Sequence, residues 1–293
     1  MTTRRVDFPR SAVEAAQLLQ RHHSVGHTTM VIGGGTLTIP SLSHGYATPS
    51  RIIDLGRIDA REIRASASEI HVGALVAYQQ LIVSPTVRRE LRLLHLMACG
   101  ITGGIQIRNQ GTLGGAGCAA RPHSDAPAVL VALDAQMIVQ SAAAQRVVAA
   151  ADFFVGAESN DMSKSEVLSG ISFPRRFGTM RAAYYKLKFA ESSWPVVTAS
   201  CLLPPADVDG SGTAGRLVVG GLATVPLVMP IEANEGTFDE DTAIAQVRAA
   251  IGCIPSGDLW SDLRASADYR CRVAPEIARR ALRTALTTPG GTR

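Results

Sequence analysis

The chain has 293 residues, of which 46% are hydrophobic and 18% charged, and it carries a formal net charge of +4. That length accommodates about two domains with a sizeable core; the basic residues are scattered, with Arg88-Arg89 and Arg175-Arg176 as isolated pairs, which argues against a nucleic-acid partner. The most apolar late stretch, 217–230, is interrupted by glycines and by Pro226 and falls short of the about 20 apolar residues of a membrane helix, so no membrane span is predicted.

At the N-terminus Arg4 and Arg5 precede no apolar run, which predicts a cytoplasmic chain without a secretory leader. Ser11-Ala12-Val13-Glu14 has the form of a capping box, and Val13, Ala16, Leu18 and Leu19 then recur at helical spacing, predicting a first helix of about ten residues. The β-branched run 28–32 predicts a strand that ends in a glycine loop. Strands are also predicted at 51–55, 63–65 and 69–74, making a small mixed sheet early in the chain. Helices are predicted at 78–81 and at 87–98, the second ending near Gly100, followed by a long glycine-rich and polar loop over 102–124. The apolar run 127–133 predicts a helix, 136–140 a strand and 149–154 a short helix, and 171–174 closes the first half. A composition shift after Pro174-Arg175-Arg176-Phe177-Gly178 places a domain boundary near residue 175. Beyond it, paired strands are predicted at 196–203 and 216–222 around a glycine-rich turn over 207–215. Helices follow at 243–251 and 274–286, with a polar, frayed tail over 287–293. The five cysteines, Cys99, Cys118, Cys201, Cys253 and Cys271, contain no C-x-x-C pair. This argues against an iron–sulfur cluster or a structural zinc in this chain and fits reduced thiols, each expected in the core.

The chemistry is carried by two glycine loops, Gly33-Gly34-Gly35-Thr36 and Gly111-Thr112-Leu113-Gly114-Gly115. Glycine removes the side chain that would keep a phosphate away and admits backbone conformations that let clustered N–H groups converge on an anion. Two such loops predict a grip on one pyrophosphate of a bound dinucleotide. Taken alone, the first is compatible with an ordinary tight turn. It lacks the Lys-Ser/Thr ending of a P-loop and the G-x-G-x-x-G spacing of a Rossmann turn, which disfavours a kinase or a Rossmann dehydrogenase.

The run Gly104-Ile105-Gln106-Ile107-Arg108-Asn109-Gln110-Gly111-Thr112-Leu113-Gly114-Gly115 is followed by Pro122-His123-Ser124-Asp125-Ala126-Pro127 and Leu133-Asp134-Ala135. Together these segments closely resemble the FAD-binding medium subunit of molybdenum hydroxylases, the family of the flavoprotein subunits of carbon monoxide, xanthine and nicotine dehydrogenases. The resemblance extends to the first glycine loop, to Ile53-Asp54-Leu55, to Tyr184-Tyr185-Lys186-Leu187-Lys188 and to Val219-Gly220-Gly221-Leu222-Ala223 with Pro226, so it covers most of the chain. It implies an α+β fold with a two-subdomain FAD-binding domain over 1–175, similar to that of vanillyl-alcohol oxidase and divided into about 1–56 and 57–175. A smaller C-terminal α+β domain of the carbon monoxide dehydrogenase flavoprotein type, 176–293, would close over the isoalloxazine.

The resemblance further implies that Gly33, Gly34, Gly35 and Thr36 hold one side of the FAD pyrophosphate and Thr112, Gly114 and Gly115 the other. Leu37 keeps the backbone cradle but lacks the small polar side chain usual there. Asp125 is expected either to accept from ribityl or ribose hydroxyls or to cap the following helix. Lys186 is expected beside the reduced ring, or as a solvated strand lysine. Trp194 is expected to approach the ring, or to sit in the core at the domain junction. Arg108 and Asn109 are expected to brace loop carbonyls, and His123 to be a surface histidine; no catalytic residue and no metal ligand is expected in this chain. Ala116 and Ser192 depart from the Asn and Arg usual in the family. The implied function is the FAD subunit of a heterotrimeric molybdenum hydroxylase. Molybdopterin would reside in a large subunit and [2Fe-2S] clusters in a small one, with electrons passing through this chain to an external acceptor. A stand-alone flavin oxidoreductase and a flavin-free assembly subunit of the same fold are the alternatives.

Overall fold

The computed structural model describes residues 5–205, 215–232 and 238–288. The first unit consists of β1 (Arg5–Asp7), α1 (Ala12–Ser24), β2 (Thr29–Ile32), α2 (Thr38–Ser43) and β3 (Arg51–Asp54), with the strands parallel in the order β1-β3-β2. Ser11 Oγ accepts from the Glu14 N–H at 3.1 Å, and the Glu14 carboxylate turns back to the Arg10 N–H at 2.7 Å, so the capping box forms with its return bond one residue upstream. Ala15 and Leu19 of α1 then pack on Ile53 and Leu55 in a small core.

The second unit opens with β4 (Ile63–Ala65) and β5 (Glu69–Gly73) and passes through α3 (Tyr78–Val83), α4 (Pro85–Glu90), α5 (Arg92–Cys99), α6 (Gly104–Gln110), α7 (Leu113–Ala119) and α8 (Asp125–Ala132). It returns with β6 (Gln136–Gln140), β7 (Gln145–Ala149), the single turn α9 (Ala150–Phe153), a ribbon of β8 (Phe154–Gly156) and β9 (Ser159–Asn160), and β10 (Val167–Pro174). Its main sheet is antiparallel in the order β4-β5-β10-β6-β7. The small mixed sheet expected from the sequence is therefore two sheets, because helical crossovers make the first three strands parallel while β4 and β5 form a tight antiparallel pair.

Two helical expectations are also corrected. The helix expected over 87–98 is two, broken at Leu91, whose φ of −128° and ψ of 52° leave the helical region. Leu91 is fully buried and Glu90 is held by two hydrogen bonds from Arg175, so tertiary anchoring overrides local propensity. The loop expected over 102–124 contains α6 and α7. There the N–H groups of Leu113 and Gly114 bond to the carbonyls of Val76 and Ala74, and Thr112 Oγ1 caps the Gly115 N–H, which fixes a helical turn despite its glycines. Strand β7, which pairs with β6 through a short hairpin, is not among the elements predicted from the sequence.

The third unit is an antiparallel meander of β11 (Arg181–Leu187), β12 (Val197–Leu203), β13 (Gly215–Gly220) and β14 (Leu227–Ile231), with α10 (Glu240–Gly252) and α11 (Ala267–Thr287) on one face. The strands expected at 196–203 and 216–222 do pair. The glycine-rich turn expected over 207–215 lies outside the described residues up to 214, and the tail expected over 287–293 from 289 on. Every residue of β12 is buried, since one face of the sheet packs on α11 and the other on α8, itself buried along its whole length. One core joins Leu94, Met97, Leu130 and Phe173 to Ala182, Leu202 and Val218, and a second fills the space between the meander and α10 and α11. Only Cys201 among the cysteines is fully buried; Cys118 and Cys271 are half-buried, and Cys99 and Cys253 are exposed where α5 and α10 end at the surface. No helix among the described residues is long and apolar enough to cross a membrane.

Candidate functional site

A cleft with a volume of about 1110 Å³ opens where β2 ends, between the first unit and the helices that follow β5. It is slightly larger than the roughly 300–1,000 Å³ of drug-sized ligand pockets. The loop leaving the carboxyl end of β2 supplies Gly33, Gly34, Gly35, Thr36 and Leu37 to one wall. Gly35 has φ +76°, a left-handed conformation that turns the chain back toward α2. Among the described residues no acceptor takes the N–H groups of Gly34, Gly35 and Thr36. Two threonines of the same wall, Thr29 and Thr38, have buried hydroxyls without a partner.

The second loop supplies Thr112, Gly114 and Gly115, but in a different way. The N–H groups of its two glycines are already satisfied: Gly114 donates to the Ala74 carbonyl at 3.1 Å and Gly115 to Thr112 Oγ1 at 3.1 Å. What it contributes is the Thr112 hydroxyl and a wall without side chains. The two loops touch. A Cβ on Gly34 would run into the carbonyl oxygen of Gln110, and a Cβ on Gly114 would come within 2.5 Å of the Ala74 oxygen. Unpartnered N–H and hydroxyl donors on a bare backbone wall fit a pyrophosphate, which needs several donors and close approach.

Asp125 begins α8 and lines the cleft at 3% exposure; the N-cap is Ser124. Its Oδ1 accepts from Tyr184 Oη and from Lys186 Nζ, both at 2.6 Å, and no donor among the described residues reaches Oδ2. Lys186 also donates to the Gly100 carbonyl at 2.7 Å. It is thus neither a solvated lysine nor part of the cleft wall, and it faces the site only through Asp125. Burial, with the Asp125 carboxylate beside it, pushes the Tyr184 phenol well above its usual range; Tyr78 is raised by the same two causes. Trp194, from the segment between β11 and β12, lines the cleft. The structure therefore brings together on one cleft all the residues expected from the sequence except Lys186.

Two other expectations are revised, and one residue joins the cleft that the sequence does not single out. His123 is not at the surface: it is 5% exposed between Trp194 and Trp260, and burial, reinforced by Arg264, holds its imidazole down to about 4. Arg108 and Asn109 make no side-chain hydrogen bond to the described residues, because α6 satisfies the backbone they were expected to brace. Tyr78, which sequence reasoning placed only in a helix, lies under Gly111 and lines the cleft. Its signal is spatial: an isolated bridge between Ala77 and Thr112 joins two segments with no shared motif.

Residues 4–176 match the family model described as the FAD binding domain in molybdopterin dehydrogenase. The chain is 30% identical over 284 residues to the carbon monoxide dehydrogenase medium chain of Hydrogenophaga pseudoflava, covering 94% of this chain and 95% of that one. It is 27% identical to the nicotine 6-hydroxylase medium subunit of Paenarthrobacter nicotinovorans, covering 94% of each. Among solved structures, it superposes on carbon monoxide dehydrogenase from Hydrogenophaga pseudoflava with a TM-score of 0.85 at 29% identity, over 98% of both chains. Quinoline 2-oxidoreductase from Pseudomonas putida 86 gives a TM-score of 0.84 at 25% identity, over 97% of both. Fold, cleft and likeness together define an α+β flavoprotein, the FAD-dependent subunit of a molybdopterin-containing dehydrogenase. The chain belongs to the medium-chain family of these enzymes, whose FAD-binding domain it carries.

Proposed function

We propose that this chain is the electron outlet of a heterotrimeric molybdenum hydroxylase, partnered by a large molybdopterin subunit and a small [2Fe-2S] subunit, and located in the cytoplasm. When bound, FAD supplies the redox chemistry, taking electrons from the partner clusters and delivering them to an external acceptor. The observation that carries this reading is the contact of the two glycine loops on the wall of one large cleft. The N–H groups of Gly34, Gly35 and Thr36 and the hydroxyls of Thr29, Thr38 and Thr112 would hold the pyrophosphate. Gly33 and Leu37 continue the first cradle, and Gly114 and Gly115 let the second approach. Asp125 Oδ2 would accept from a ribityl or ribose hydroxyl, with Lys186 and Tyr184 fixing the carboxylate from behind, and Trp194 would flank the ring. The sheets support domains at 1–175 and 176–293, with subdomains at about 1–56 and 57–175, since no sheet crosses these limits.

The test is to purify the chain from cells that produce its genomic neighbours, record its absorption spectrum, and identify the heat-released cofactor by mass. FAD in a particle that also holds molybdenum and iron–sulfur chains is the expected outcome. A flavin-bearing chain that purifies alone would favour a free-standing oxidoreductase. A colourless protein that binds no added FAD would overturn the proposal.

A further inference from the structure

We infer that His123 is a positioning residue for Trp194, an inference that rests on the proposed flavin site. Up to Trp194 the hydrogen bonds of its segment are local, Lys188 Nζ to the Glu191 carbonyl and Ser193 with Ala190 in both directions, while two residues on the Val196 carbonyl accepts from Arg270. Its indole makes no hydrogen bond to the described residues, so the ring that lines the cleft is held by packing. The His123 ring meets it edge to face, with centroids 5.3 Å apart and planes at 83°, the arrangement that aromatic quadrupoles favour. His123 also stacks on Trp260, at 6.3 Å and 23°. Trp260 is in turn anchored by its backbone N–H to the Leu222 carbonyl at 2.9 Å. The three rings form a wedge from the cleft wall to the connection between β13 and β14, with the imidazole in contact with both indoles.

The imidazole occupies that place as a neutral flat ring. Both its nitrogens are buried without a partner, and Asp262 Oδ2 lies 3.6 Å from Nδ1, beyond hydrogen-bond distance. Buried polar groups are ordinarily paired, so an orphaned imidazole calls for a reason other than hydrogen bonding. Its shape gives one: it fills the slot between two indoles and fixes the Trp194 ring before a cofactor arrives, which lowers the ordering cost of binding. His123 also immediately precedes Ser124 and Asp125, both on the cleft wall, so the wedge and the carboxylate share one short segment.

The experiment titrates the flavin-stripped full chain with FAD by fluorescence quenching, and records near-UV circular dichroism and the midpoint potential of the bound flavin. His123→Leu keeps volume and apolar burial but removes the ring. It is expected to weaken FAD binding about three- to tenfold, the factor an aromatic pair is worth, and to change the tryptophan near-UV signal. His123→Phe keeps the ring and is expected to bind within about twofold of wild type. Trp194→Leu is expected to reproduce the His123→Leu loss, and the double variant to lose no more than either single one. The inference is overturned by unchanged FAD affinity in His123→Leu or Trp194→Leu, by a His123→Leu effect that persists in the Trp194→Leu background, or by a His123→Phe loss as large as that of His123→Leu. Melting curves without FAD separate binding from folding. A folded wild-type chain that binds no FAD defeats the flavin site itself; wild-type binding that His123→Leu leaves unaltered defeats only the positioning role.

Discussion

Gly34 is small because of a neighbouring loop. Its missing side chain lets the first cradle lie against the Gln110 carbonyl, so the two cradles form one wall. Gly34→Ala must push them apart, an overpacking that costs about 1–3 kcal/mol. The flavin-to-protein ratio after purification is expected to fall severely, whereas Gly257→Ala, with open space around the new methyl, should leave it unaltered. An intact ratio in Gly34→Ala would show that the loop contact is not what shapes the site. His123 gives a prediction with a sign. Its folded pKa, about 4, lies below the ordinary 6.5, so between these values the unfolded chain binds more protons and stability rises with pH. As pH falls through this window wild type should lose up to about 3 kcal/mol relative to His123→Leu. Urea denaturation of both proteins at pH 7 and pH 4.5 measures the difference. Asp262 does not imitate the effect: although burial opposes it, the Arg264 backbone N–H and the Arg270 guanidinium hold its carboxyl down to about 2, below the window.

At the scale of elements, the Asp125–Lys186 pair ties the start of α8 to β11, with side chains only 4% and 9% exposed. Lys186→Met would leave a buried carboxylate without its cation, a change of about 3–5 kcal/mol. Adding Asp125→Asn should recover part of that loss, because the uncompensated charge is gone. Tyr184→Phe, removing one hydrogen bond to Oδ1, should cost only about 1 kcal/mol. Urea midpoints at pH 7 rank the four proteins; a Lys186→Met as stable as Tyr184→Phe would mean that water or another donor replaces the lysine. Such links explain what was legible. The α1 cap and the apolar strands of the meander carry local signals, and the structure repeats them. Helices α6 and α7 were hidden because glycine propensity points to a loop, while the carbonyls of Ala74 and Val76 that hold α7 arrive from beyond β5. The glycine loops announce a cradle, but that the second offers a bare wall rather than free glycine N–H groups is decided by the Ala74 carbonyl and the Thr112 hydroxyl. His123 looked like a surface residue because Trp194 and Trp260, which cover it, are remote in sequence.

For the whole molecule, the family match ends at residue 176, yet the structure does not come apart there. Helix α8 is buried along its whole length only because β12 and β13 lie against it, and Ala182, Leu202 and Val218 complete the core that Leu130 and Phe173 begin. Lys186 and Tyr184, which hold Asp125 in place, and Trp194, which closes the cleft, also come from beyond the limit. A fragment of residues 1–176 would therefore expose the apolar face of α8 and leave the Asp125 carboxylate with neither its cation nor its phenol. Exposing such a contiguous apolar face favours association over a stable monomer. The fragment is expected to bind a hydrophobic dye, to unfold without a sharp transition and to purify without FAD, although it contains both glycine loops. The full chain should show a single cooperative transition for the parts before and after residue 176, because neither can lose its packing without uncovering the other. Calorimetry and dye binding on the two proteins decide the matter. A fragment that melts sharply and carries FAD would mean that the two cradles suffice and that the meander serves mainly to cover the ring.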